Sequence, residues 1–290
     1  MTKKEFKRRE SAVLAAFKEC NPQKAFEYIE KIIKYNSENT VCRFRPPLER
    51  EIDLLEKKKI FMVRPRVYED KGDCEILYNI RDLYRHFMIN IKSEKYRDVR
   101  NLIDEELDEK VRIGLEKNPR FQELKECVRN RALVACFSEN YDEYMWREYA
   151  NNGEGICLVY DLLDIILNIP HDMKLYPVRY VDNRRACKDI WIGVEEFGEE
   201  SDSFIGGELK YLLSCFTKEK EPYDREAEWR LLYVEDRMDH ENDGKEFCFP
   251  IIPSLIILGE NITNNAHFEA RVRKFAMDNS IELVYASDLR

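Results

Sequence analysis

Glycine is scarce, with 10 residues in 290. None falls in the G-x-G-x-x-G pattern after a strand or in a P-loop, the two short motifs that cradle phosphates at a helix start. Strands also fail to alternate regularly with helices, which excludes a doubly wound parallel sheet. No run of about 18 apolar residues occurs, as a membrane-spanning helix would need. The opening MTKKEFKRRESAVLAAFKEC carries too many charges over too short an apolar length for a secretory signal. The expectation is a cytoplasmic protein with no membrane partner. No C-x-x-C pair is present among the nine cysteines, and Cys136, Cys157 and Cys215 sit in apolar runs where a thiol acts as a small hydrophobe, so reduced core residues are expected. The four histidines, His86, His171, His240 and His267, are never at ligand spacing, and no metal site is expected. A surplus of cations is missing too: 48 Lys and Arg stand against 57 Asp and Glu, a net charge of −9, which argues against a general nucleic-acid coat.

What is there is ample for a core, with 44% hydrophobic residues. Residues 3–20 and 22–35 read as two amphipathic helices, an N-terminal hairpin over 1–36 packed on the remainder of the chain; its excess of basic residues makes it a candidate for docking a partner. The rest, 37–290, reads as a single domain. TVCRFRPP is a strand with Arg43 and Arg45 on one face, IFMV a second, and 74–131 a helical insert. ALVACFS is a buried strand, followed by a helix carrying Trp146 and Tyr149 that stops at Asn-Asn-Gly. GICLVYD and LYPVRYVD (175–182) continue as strands, 184–217 reads as mainly helical, and EWRLLYVED, EFCFP, SLIILGE and IELVYA add four strands around a last helix at 263–279. The fold class is α+β, with a mainly antiparallel sheet, whole or split in two.

The stretch EAEWRLLYVED places Glu226 and Glu228 two apart at a strand start, with Arg230 next in the row. In a strand those side chains share a face, so they are either a solvated end or carboxylates that handle a ligand. Ala227, Trp229, Leu231 and Tyr233 form the opposite row, expected in the core.

CRFRP, CFSENYDEYMWREYANNGEGICLVYD, VRYVD, CFTK with EAEWRLLY, and SLIILGENI together resemble the bacterial family called domain of unknown function 2971. They run in order over roughly 40–285. The chain departs from that family in having YEDKGD after the second strand and EPYDRE before the glutamates. A looser resemblance is to the arginine-type ADP-ribosyltransferases: an arginine on an early strand, a serine ending a middle strand, and Glu-x-Glu opening a late one. It implies transfer of ADP-ribose from NAD to a protein or nucleic-acid acceptor, or NAD hydrolysis; a toxin, a phage-defence effector and a housekeeping enzyme all fit it.

On that resemblance Glu228 stabilises an oxocarbenium-like ribose, Glu226 activates the acceptor, and Ser138 orients the carboxylate. Arg43 or Arg45 binds phosphate or ribose oxygens, and Trp146 or Tyr149 covers the nicotinamide. The rival readings are a metal-dependent nuclease or phosphotransferase built on Glu139, Asp142, Glu226 and Glu228, and a non-catalytic module that binds a protein partner.

Overall fold

The computed structural model describes residues 1–17, 19–33, 39–76, 119–183 and 212–289, with 109, 113, 114, 116 and 117 besides. Among these are seven α-helices and eleven strands. In chain order they are α1 (Lys3–Phe17), α2 (Pro22–Ile33), β1 (Thr40–Arg45), α3 (Glu49–Glu56), β2 (Lys59–Val63), α4 (Pro119–Arg131), β3 (Ala132–Ser138), α5 (Glu143–Tyr149), β4 (Ile156–Asp161), α6 (Leu162–Asn168), β5 (Lys174–Pro177), β6 (Arg179–Val181), β7 (Thr217–Glu219), β8 (Glu228–Val234), β9 (Gly244–Cys248), β10 (Leu255–Leu258), α7 (Ala266–Asp278) and β11 (Glu282–Tyr285). No helix of the described residues is long and apolar enough to cross a membrane.

Nine strands form one sheet, in the order β11-β10-β4-β1-β3-β2-β9, with β8 added beside β3 and β5 beside β8. All its pairs are antiparallel except β10 with β11. A second sheet of two strands joins β6 to β7 in parallel. The α+β class, the mostly antiparallel sheet and the N-terminal helix pair are therefore present as expected. The helical insert at 74–131 lies largely outside the described residues; α4 is its described end.

Two features shape the sheet around β3. All seven residues of β3 pair with β8, from Ala132 opposite Val234 to Ser138 opposite Glu228. By contrast β3 meets β1 only at Cys42 opposite Ser138, and β2 only at Val63 opposite Val134. The sheet thus parts between β1 and β2 alongside β3.

One face is covered by α2, α3 and α7, which bury Ile29, Ile52, Val272 and Phe275 against Leu158, Leu133 and Trp229. On the other face α5 lays Met145 and Trp146 on Phe44 and Cys157. Helix α5 stops where Asn151, Asn152 and Gly153 are all left-handed (φ 49°, 55° and 81°), a conformation that Asn and Gly tolerate best.

Two stretches differ from their sequence reading. LYPVRYVD is two strands in different sheets, because its partner β8 starts only at Glu228. Val178 still donates to the Glu228 carbonyl at 2.8 Å, and beyond it the chain pairs with β7 instead. Of the stretch 184–217, read as helical, residues 184–211 lie outside the described set; Leu213–Phe216 is a 3₁₀ turn and Thr217 begins β7.

Candidate active site

Three adjacent strands carry the site: β1 with the arginines, β3 with Ser138 at its end, and β8 with Glu228 at its start. A cleft of about 640 Å³ lies over the parting in the sheet and is lined by Arg43, Arg45, Ser138, Tyr149, Glu226 and Glu228, among others. That volume falls in the ordinary range for small-molecule sites, about 300–1,000 Å³.

The two glutamates do not share a strand face, as the sequence suggested. Glu226 ends a 3₁₀ turn (Tyr223–Glu226), Ala227 is left-handed (φ 43°, ψ 50°), and the strand begins only at Glu228. A non-glycine residue there costs about 1–3 kcal/mol and persists only where its surroundings over-determine it. Here they do. The Ser138 hydroxyl donates to the Glu226 carbonyl at 2.5 Å, and the Asn140 side chain donates to the Arg225 carbonyl. Arg9 of α1, 1% exposed, donates to the Ala227 and Glu228 carbonyls at 3.2 and 2.9 Å. Ser138 therefore holds the backbone of the kink rather than a carboxylate, and α1 braces the same turn.

Nor are the glutamates a solvated end. Both are buried, with Asp73, Lys218 and Arg230. Arg230 donates from Nε to Glu228 Oε1 at 2.8 Å and grips both oxygens of Asp73 at 2.8 and 2.7 Å. Lys218 Nζ is 2.7 Å from Glu226, 3.5 Å from Glu228 and 3.9 Å from Asp73. The Tyr149 hydroxyl donates to Glu226 Oε1 at 2.8 Å. Three carboxylates thus surround two cations, an arrangement that fixes side-chain geometry because each group would be costly without its partners.

Their protonation is set unequally. Burial pushes the Glu228 carboxyl up, but Arg230 and Lys218 outweigh it and hold it below its ordinary value of 4.5. Burial also raises Glu226, Lys218 opposes it, and the neighbouring Glu228 adds to it, leaving Glu226 above 4.5. Burial alone would lower the Lys218 ammonium; Glu228, Asp73 and Glu226 reverse that and keep it charged. Glu228 therefore gives up its proton more readily than Glu226, the kind of split that separates acid–base roles.

The β1 wall differs. Arg45 gives both Nε and Nη2 to Glu51 at 2.7 Å each, a bidentate pair. Arg43, 8% exposed, donates from Nη2 to the Phe61 carbonyl at 3.0 Å, bridging the parting from β1 to β2, and rests 5.6 Å from the centre of the Phe137 ring. It has no carboxylate partner among the described residues. Burial, then Arg45, brings its guanidinium down to about 10, so it stays cationic at neutral pH.

The remaining candidates fall elsewhere. Trp146 packs edge-on against Phe44 at 5.2 Å and is not among the cleft-lining residues; Tyr149 lines the cleft, and the Tyr144 hydroxyl on the same helix also donates to Glu226 Oε1, at 3.5 Å. Glu139 accepts from Trp229 Nε1 and pairs with Arg9, both at 2.6 Å. Asp142 caps α5 through the Met145 amide. Among the described residues no group of three or more His, Cys, Asp or Glu is placed to hold a metal ion. Between Glu226 and Glu228 the Lys218 ammonium already stands where a cation would.

Sequence reasoning missed Lys218, Asp73 and Arg9. Lys218 is on a three-residue strand just past the stretch 184–217 read as helix. Asp73 belongs to YEDKGD, the very segment that departs from the family pattern. Arg9 carried a usable signal: with Ala12, Val13 and Ala16 it occupies i, i+3, i+4 and i+7, one face of α1, and all four are buried.

Compared with known proteins, the chain matches a family model described as "Protein of unknown function (DUF2971)" over residues 145–231. The matched span runs from α5 through the first half of β8 and includes Tyr149, Lys218, Glu226, Glu228 and Arg230. Arg43 and Ser138 lie outside it. No curated protein and no solved structure matches the chain.

Proposed function

We propose that the cleft binds NAD and transfers its ADP-ribosyl group to an acceptor, or to water. The observation that carries this reading is the meeting at one cleft of Arg43, Ser138 and Glu228, on three neighbouring strands, with Glu226 from the turn that leads into the third, although they are spread over most of the sequence.

The chemistry suits the groups present. In NAD the bond from ribose C1′ to the ring nitrogen breaks with its electron pair going to the nitrogen, so nicotinamide leaves neutral and needs no strong acid. The ribose becomes an oxocarbenium-like cation. Glu228, held ionised by Arg230 and Lys218, supplies the facing negative charge and accepts from ribose hydroxyls. The acceptor forms the new bond to C1′, and Glu226, whose raised carboxyl accepts a proton more readily, takes the proton it loses. Arg43, the cleft cation without a carboxylate partner among the described residues, faces the pyrophosphate with a planar fork suited to phosphate oxygens. Ser138 acts through the kink that aims both glutamates.

The experiment is incubation of the purified chain with NAD labelled in the adenylate, alone and with protein and nucleic-acid acceptors. Release of nicotinamide with either free ADP-ribose or labelled acceptor supports the reading. Neither nicotinamide release nor label transfer under any of these conditions would remove it.

A further inference from the structure

A second cavity, of about 390 Å³, lies under the opposite face of the sheet, between α3, α7 and the segment that leads from β9 to β10. It shares no lining residue with the cleft. Its apolar part is formed by Leu55, Tyr160, Phe249, Ile251 and Phe275.

Two polar features make it more than a packing gap. Tyr160 is 3% exposed, yet its hydroxyl has no hydrogen-bond partner among the described residues. The hydroxyl oxygen is not one of the fully enclosed unpartnered atoms, so it keeps some access to solvent although the ring is buried. Tyr160 edges against Phe137 and Phe249, at 5.9 and 5.7 Å between ring centres, so its ring is fixed while its polar end remains available. Burial pushes the phenol up, and it stays a neutral hydrogen-bond donor.

At the rim, Lys59 is paired with Glu246, Lys274 with Asp278, and Glu56 with Arg271. Lys58, held left-handed at the turn into β2 (φ 51°), has no ion-pair partner among the described residues. The cavity therefore offers an apolar body, one donor at depth and one uncommitted ammonium at the mouth.

We infer that this cavity is a binding site for a small monocarboxylic acid with an aromatic or branched apolar body. The apolar part lies among Leu55, Phe249, Ile251 and Phe275, and the carboxylate accepts from the Tyr160 hydroxyl and faces Lys58. This does not depend on what the cleft on the other face binds.

The test uses 4-phenylbutyrate as the probe and its amide, 4-phenylbutyramide, as the neutral control, titrated calorimetrically into the full chain. The expected result is one site for the acid, with the amide weaker by roughly tenfold, about the 1.4 kcal/mol of one charge-assisted contact. Tyr160→Phe, which keeps the ring and its packing, weakens the acid by roughly tenfold. Lys58→Ala on the exposed rim weakens it severalfold. Ile251→Trp, which fills the cavity, abolishes binding. Thermal unfolding of each variant without probe confirms that it is folded. Absence of binding to the wild-type chain at millimolar probe, or binding equal in wild-type, Tyr160→Phe and Ile251→Trp, would overturn the inference.

Discussion

On the β8 side of the cleft, Asp73, Glu226, Glu228, Lys218 and Arg230 satisfy one another. On the β1 side, Arg45 is taken by Glu51, while Arg43, two residues before it, has a carbonyl and a ring but no counter-charge among the described residues. Both walls bury charge, and burial costs several kcal/mol per ion unless partners offset it. The first wall is complete without a ligand and serves to aim carboxylates. The second is incomplete, so an incoming anion gains there what the free protein lacks.

The contrast is sharpest when a cation is removed from each wall. Arg230→Met leaves Asp73 and Glu228 buried without their main partner, and is expected to destabilise the chain by about 3–5 kcal/mol, read from urea unfolding. Arg43→Met removes a buried charge with no carboxylate partner among the described residues, and the same measurement should find stability unchanged or raised. Equal losses from the two variants would erase the distinction between the walls.

Next in size is the chemistry. Glu228→Gln keeps the shape but removes the charge, and should lower NAD turnover by about 10²–10³, an effect of roughly 3–4 kcal/mol typical of a lost electrostatic contact to a developing charge. Its unfolding transition should stay cooperative, since Arg230 retains both oxygens of Asp73. Arg43→Met comes after it, weakening NAD binding by about tenfold, close to 1.4 kcal/mol, with a smaller change in turnover.

The smallest effect is on pH. Glu226 sits above 4.5; with it as the proton acceptor of the proposed reaction, which requires its ionised form, activity should fall as pH drops through a limb lying above that value. The Tyr149 hydroxyl stabilises the charged form. Tyr149→Phe should therefore move the limb upward, by about one pH unit or less, in a kcat/KM profile. A limb that does not move would place the titrating group elsewhere.

The same two walls differ in how far they could be read from sequence. Arg43 lies within β1, and Ser138 and Glu228 stand at strand ends, where period-two alternation and flanking turn residues mark a strand, so these three were legible; Glu226 was read onto the same strand face and lies instead in the preceding 3₁₀ turn. Strands β3, β4 and β10 were legible as continuous apolar runs, and β1 and β8 from their alternation. Lys218 was not, because a three-residue strand carries no periodicity and gains its partner β6 only through the fold. Asp73 comes from a turn whose composition says nothing of the guanidinium it meets. The kink at Ala227 was hidden as well: alanine gives no signal for a left-handed backbone, and the groups that impose it, Ser138, Asn140 and Arg9, come from distant parts of the chain. Trp146 and Tyr149, three apart on one helix, were indistinguishable in sequence, yet one packs on Phe44 and the other reaches Glu226.

The most direct measurement is calorimetric titration of NAD into the Glu228→Gln chain, in which slow turnover leaves binding visible, beside the same titration into the double variant Arg43→Met, Glu228→Gln. A single NAD site is predicted in the first and about tenfold weaker binding in the second. No NAD binding to the Glu228→Gln chain or to the wild-type chain, or equal affinity in the two variants, would contradict the assignment of Arg43 and the cleft to NAD.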